Sequence, residues 1–107
     1  MKGTNLGEFE ELVMLTVGIL QHEAYGVTIK DELEKRTGRT PSIGALHSAL
    51  TRLEEKGFLK SAYEGATEDR RGRRKRFYTL TASGLEATKL AYEIRTEMIH
   101  LIPNISL

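Results

Sequence analysis

Arg70, Arg71, Arg73, Arg74, Lys75 and Arg76 place six cationic side chains within seven positions. Like charges this close repel one another, and a phosphate backbone relieves that repulsion. Counterions released from the phosphates then favour binding. A charge run can equally be a solvated face with no partner. The element that carries it decides between the two readings.

A second group sits upstream. Leu46, Leu50 and Leu53 recur at spacings of four and three, which marks the buried side of a helix. Gly44, Ala45, His47, Ser48, Thr51 and Arg52 then fall on its outward or flanking side. Ser42 stands at the start of this helix as a natural N-cap and shares its exposed end. Small residues there let the backbone approach a nucleic acid closely, and helix N-termini favour phosphate. Arg52 is suited to read a guanine or to hold a phosphate. Tyr25 could donate its hydroxyl to a phosphate or be a packed aromatic, and the spacing does not separate the two.

Other chemistries find no support. His22, His47 and His100 share no metal-ligand spacing with one another or with nearby carboxylates. No glycine-rich phosphate loop follows a strand, and no serine-nucleophile motif occurs. No catalytic residue, metal or cofactor is expected. The remaining rival is a winged helix that binds only protein, and such modules lose the basic wing.

The elements that would position these residues follow from periodicity and punctuation. A first helix is expected from about Leu6 to His22, capped by Asn5 with Glu8. A second runs from about Val27 to Thr37 and ends at Gly38. The third, Ser42 to Lys56, follows after the short turn of a helix-turn-helix and ends at Gly57. Phe58 to Glu64 and Arg73 to Thr81 read as strands around a polar turn, so the basic run lies on a hairpin. The last helix is expected from about Gly84 to Ile102, with Ser83 and Glu86 at capping-box spacing and Pro103 beyond it. The expected fold is mainly α with a small β-hairpin. It is a winged helix-turn-helix over residues 1–81, followed by a C-terminal dimerisation helix over 82–107 that packs on the same domain.

Charge is distributed in the same sense. Residues 1–36 hold four Lys/Arg against seven Asp/Glu, residues 37–81 ten against five, and residues 82–107 two against three. The positive surplus therefore belongs to the segment with the third helix and the hairpin. Hydrophobic residues at 39% and charged residues at 29% are the balance of a folded soluble chain. The chain has no cysteine, which suits a reducing cytoplasm. It has no membrane span or export signal, so a cytoplasmic location is expected.

In the last helix Ala87, Ala91, Ile94, Met98 and Leu101 step by four, three, four and three, a heptad-like seam. The first helix can cover part of it, and the rest calls for a second copy. A homodimer is expected, with Phe9, Leu12, Ala91, Ile94, Met98 and Leu101 at the contact. Two third helices would then sit about one DNA turn apart, on an inverted-repeat operator.

The block AYGVTIKDELEKRTGRTPSIGALHSALTRLEEKGFLKS and the later GRRKRFYTLTASG resemble the phenolic acid decarboxylase regulator (PadR) family of bacterial transcription regulators. Ser42, Gly44, Leu46, Leu50, Leu53, Glu54, Glu55 and Gly57 match the helix-turn-helix pattern. Gly72, Arg73, Phe77, Tyr78, Leu80, Thr81 and Gly84 match the wing. The resemblance implies a sequence-specific double-stranded DNA-binding regulator, a repressor by expectation, of the short form with one C-terminal helix. His47 stands where the family usually has tyrosine, and Ser48 where it often has proline. Some members bind small aromatic or cationic molecules between subunits. The resemblance therefore admits a small hydrophobic effector of unknown identity as a partner, beside Tyr92 and Met98.

Overall fold

The first helix, α1, spans Glu8–Leu20 and opens with three acids, Glu8, Glu10 and Glu11, at the positive end of its dipole. The computed structural model describes residues 6–66 and 74–104. Gly7, rather than Asn5, is the N-cap, and its N–H donates to Glu10 Oε1 at 2.9 Å. Asn5 lies outside the described residues. The helix stops at Leu20, short of His22, because Gln21 turns to a φ of 54° and begins a single 3-10 turn over Gln21–Glu23.

The second helix, α2, covers Gly26–Thr37, and the third, α3, covers Ile43–Glu55. Gly38 (φ 75°) and Gly57 (φ 80°) follow them in the left-handed region, where a side chain is strained. Ser42 caps α3 as the sequence indicates, its Oγ accepting from the Ala45 N–H at 3.0 Å. Leu46, Ala49, Leu50 and Leu53 form the buried stripe of α3. They join Val13, Met14 and Val17 of α1, with Ala24, Ile29, Leu59 and Tyr78, in one core.

Strands β1 (Leu59–Ala66) and β2 (Arg74–Leu80) pair antiparallel, Leu59 opposite Leu80 and Tyr63 opposite Arg76. The chain between α1 and α2 lends the hairpin a third partner. Tyr78 N–H donates to Ala24 O at 2.8 Å, and Tyr25 bridges Phe77. The sheet is thus tied to the entry of the helix-turn-helix.

The last helix, α4, spans Ala82–His100. Thr81 caps it, accepting from Gly84 N–H at 3.0 Å, and Ser83 lies inside its first turn. Both hydroxyls donate to Gly57 O. The cap falls two residues before the expected Ser83 because the helical turn already begins at Ala82, which leaves Ser83 inside it and Thr81 Oγ1 as the acceptor for the Gly84 N–H. Glu11 of α1 and Arg95 of α4 then pair at 2.6 Å. Ala87 and Ala91 are covered by their own chain, and Ala91 is only 5% exposed. Beyond Arg95 the helix leaves its core: Met98 is 62% and Leu101 74% exposed. The radius of gyration, 15.8 Å, exceeds the roughly 13 Å of a compact chain of this length. Four helices with an antiparallel hairpin in this order make a winged helix.

Candidate nucleic-acid interface

The outward side of α3 is bare. Gly44, Ala45, His47, Ser48, Thr51 and Arg52 are all exposed, as the helical period requires. Gly44, His47, Ser48, Thr51 and Arg52 line one shallow, open depression along it. A Cβ at Gly44 would meet no atom within 4 Å, so the fold itself does not demand glycine there.

Tyr25 flanks this side from the start of α2. Thr28 holds the turn, its Oγ1 accepting from Tyr25 N–H at 3.0 Å. The Tyr25 ring meets Phe77 edge-on, centroids 5.2 Å apart, and Lys75 Nζ lies 4.3 Å from the Tyr25 centroid. The ring is packed on one side and seats a wing cation beside α3, while the residue stays partly exposed. Tyr25, Val27, His47 and Lys75 border a common hollow of about 150 Å³ between α2, α3 and the hairpin.

The other cations of the region are largely matched by acids. Arg76 Nη2 reaches Glu54 Oε1 at 3.1 Å, and its Nε donates to Ser61 Oγ at 2.9 Å. Ser61 in turn donates to Glu54 Oε2 at 2.6 Å. The Arg76 guanidinium also lies over the rings of Tyr63 and Tyr78. This is a clamp between wing and α3, and Arg76 stays partly exposed within it, at the edge of the hollow that Tyr25, His47 and Lys75 border. Burial pushes the Tyr78 hydroxyl above its ordinary value, although Arg76 opposes the shift. Arg52 Nε donates to Glu10 Oε2 and Lys56 Nζ to Glu10 Oε1, each at 2.8 Å. Arg39 pairs with Glu8 at 2.8 Å and lies over Phe9. Arg70, Arg71 and Arg73 lie outside the described residues, and of Arg74 only the backbone is described.

Among the described residues, Glu10 is the one strongly perturbed carboxylate. Burial alone would raise its pKa, but hydrogen bonds from Lys56, Arg52 and the Gly7 N–H outweigh that and hold it at about 2. A carboxylate depressed in the folded state stabilises it above its unfolded pKa, near 4.5, and the benefit is lost as pH falls toward 2. At 1.36 kcal/mol per pKa unit, trimmed for the half-exposed Arg52, this is about 2 kcal/mol. Between pH 6 and pH 2.5 the wild-type protein should lose about 2 kcal/mol more urea stability than Glu10→Gln. Parallel losses in the two proteins would refute the assignment.

Of the expected contact residues at the other face, Phe9 and Leu12 are half-buried in their own chain. The exposed apolar residues of α1 are instead Leu15 and Ile19. Two exposed apolar residues of the helix-turn-helix escape a reading that assigns apolar residues to the core. Val27 is the second residue of α2, and Ile43, 61% exposed, opens α3. The available signal was spacing: Ile43 lies four residues before His47 and eight before Thr51, on their outward stripe.

The family model of PadR-like transcriptional regulators matches residues 15–90, the helix-turn-helix, the wing and the start of α4 together. The chain belongs to the PadR-like family. Among solved structures, a PadR-like transcription factor of Bacteroides fragilis superposes with a TM-score of 0.77 at 22% identity, covering 92% of this chain and 89% of that one. A PadR family regulator of Clostridium difficile gives 0.70 at 22% identity, covering 87% and 93%. A transcriptional regulator of Clostridium thermocellum gives 0.67 at 23%, covering 89% and 92%. At these identities the likeness is one of fold. No curated protein matches the chain by sequence. As a PadR-like chain, the protein is a DNA-binding transcriptional regulator. No helix among the described residues is long and apolar enough to cross a membrane.

Proposed function

We propose that this PadR-like chain binds double-stranded DNA sequence-specifically as a homodimer, on an inverted-repeat operator, and represses transcription by occupying it. Residues 1–81 form the DNA-binding part and 82–107 the dimerisation helix. The observation that carries the reading is the bare outward side of α3, flanked by Lys75 on Tyr25. In helix-turn-helix proteins that side enters the major groove. Ser42, Gly44, Ala45, His47, Ser48, Thr51, Arg52 and Ile43 then face base edges, and Tyr25, Lys75 and the wing arginines face phosphate. Arg76, clamped to Glu54 and Ser61 and partly exposed, also braces the wing against α3.

Lys75 tests the phosphate role. Lys75→Ala should weaken binding to every duplex alike and flatten the plot of log affinity against log salt by about one unit. Fluorescence anisotropy with one selected and one random duplex, from 50 to 200 mM salt, measures both. An unchanged slope would remove Lys75 from the interface.

Ile43 tests base reading. An exposed isoleucine at the tip of α3 matches the C5-methyl group of thymine, which a groove contact covers. Burying one methyl group is worth about 0.8 kcal/mol, or roughly fourfold in affinity. Replacing individual thymines of the operator by uracil should cost the wild-type protein about that factor at one position, and cost Ile43→Ala nothing there. Equal losses in both proteins at every thymine would refute the contact.

The seam of α4 supports the dimer. Ile94, Met98, Leu101 and Ile102 are exposed, as are Leu15 and Ile19 of α1, and the Glu11–Arg95 pair brings the two helices together. An apolar stripe on a helix that runs past its own core is what a second copy covers.

A further inference from the structure

We propose that Glu10 is a positioning residue of the DNA-reading surface, fixing Arg52 and Lys56 along one flank of α3 so that Arg52 meets DNA in a set orientation. The inference rests on the proposal that α3 reads DNA. Its basis is a buried carboxylate that the fold core does not explain. Glu10 is 5% exposed, yet it belongs to the first turn of α1, where acids usually stay in water. Its two neighbours in that turn go elsewhere, Glu8 to Arg39 at the α2–α3 turn and Glu11 to Arg95 of α4. Glu10 alone spans to α3, with partners 42 and 46 residues away in sequence.

Burying a carboxylate is costly unless donors surround it, and Glu10 has three: Gly7 N–H, Arg52 Nε and Lys56 Nζ. Arg52 is the informative one. It lines the same open depression as Gly44, His47, Ser48 and Thr51, while its Nε is committed to Glu10. Among the described residues nothing else takes its terminal nitrogens. An arginine held by one edge has already lost much of its rotamer freedom, and its planar fork is aimed before the ligand arrives. Released, the same side chain could follow any phosphate within reach. Glu10 therefore trades general affinity for discrimination.

The test compares wild type, Glu10→Gln, Glu10→Asp and Arg52→Ala on two duplexes, one selected from a random pool and one of random sequence. Glu10→Gln should bind the random duplex more tightly and steepen its salt slope by about one unit, as the Arg52 guanidinium reaches phosphate. Discrimination between the duplexes should fall about tenfold, the value of one weakened oriented base contact. Glu10→Asp, which keeps the charge, should recover part of it. Equal weakening on both duplexes with an unchanged slope would overturn the proposal, because that is how a purely structural residue behaves. Arg52→Ala separates the two levels of the argument. If it changes binding to neither duplex, Arg52 meets no DNA and the underlying reading fails at this residue. If it lowers operator affinity while Glu10→Gln keeps wild-type discrimination and slope, the role of Glu10 alone is overturned. A measurement free of any folding defect uses the wild-type protein. The Arg52 Nε–H resonance should exchange slowly with water in the free protein and remain protected in the operator complex. Fast exchange in the free protein would overturn the proposal.

Discussion

Ile94→Glu combined with Met98→Glu should turn a dimer into a monomer and lower operator affinity at least a hundredfold. Both side chains are exposed within the single chain, so the substitutions should spare the fold. In a dimer they would bury four like charges along a two-fold contact, where unpaired charge is strongly unfavourable. The effect on DNA follows from linkage of two half-sites. Once one subunit is bound, the second binds at a high effective concentration, which raises affinity by about 10²–10⁴ over one half-site. Random DNA, held mainly through phosphates, should lose far less. Sedimentation at tens of micromolar and anisotropy on both duplexes measure the two halves of the prediction. A variant that stays dimeric would move the contact off α4. A wild-type protein that is monomeric at this concentration yet binds one unrepeated site tightly would remove the dimer altogether.

The second large effect concerns how α4 is seated. A Cβ added at Gly84 would lie 2.1 Å from Phe58 O and 2.9 Å from Phe58 C, backbone atoms that cannot swing aside. Phe58 O also accepts from Thr81 N–H at 3.1 Å, so the whole junction between β2 and α4 is drawn tight. Gly84→Ala should therefore destabilise the protein by about 3 kcal/mol, at the upper end of ordinary overpacking. Gly44→Ala is the matching control, since its Cβ would meet nothing within 4 Å. On the proposed dimer, with its seam on α4, a tilt at Gly84 would also change the distance between the two α3 helices. The Gly84→Ala protein that remains folded should then lose operator affinity beyond its loss on random DNA. Equal thermal stability of Gly84→Ala and Gly44→Ala would show that the junction gives way freely.

Local signals were the ones that could be read from sequence. Ser42 before an apolar stripe, and glycine after each helix of the pair, specify α2 and α3 without reference to the rest of the chain. The hairpin and the outward side of α3 follow from period alone. What the sequence hides is pairing across distance. Arg52 and Arg76 look like free cations in a positive segment, yet their acids sit 42 and 22 residues away. The surplus of charge in residues 37–81 therefore overstates what α3 offers to DNA. Ala91 and Ile94 illustrate the same limit on α4. They belong to one heptad-like stripe, but the chain's own core covers the first and leaves the second exposed. The cap of α4 differs for a local reason: Thr81 and Ser83 are both able to cap, and the choice depends on where the turn after β2 begins, with Thr81 extended and the helix starting at Ala82.

The most direct test of the central claim is selection of bound duplexes from a random pool by the wild-type protein at about 0.1 M salt. The expected product is an inverted repeat whose half-sites are centred roughly 10 base pairs apart, the spacing of two α3 helices about 34 Å apart across a two-fold axis. A pool that stays random after repeated rounds, or that yields a single unrepeated site, would contradict sequence-specific binding by a homodimer.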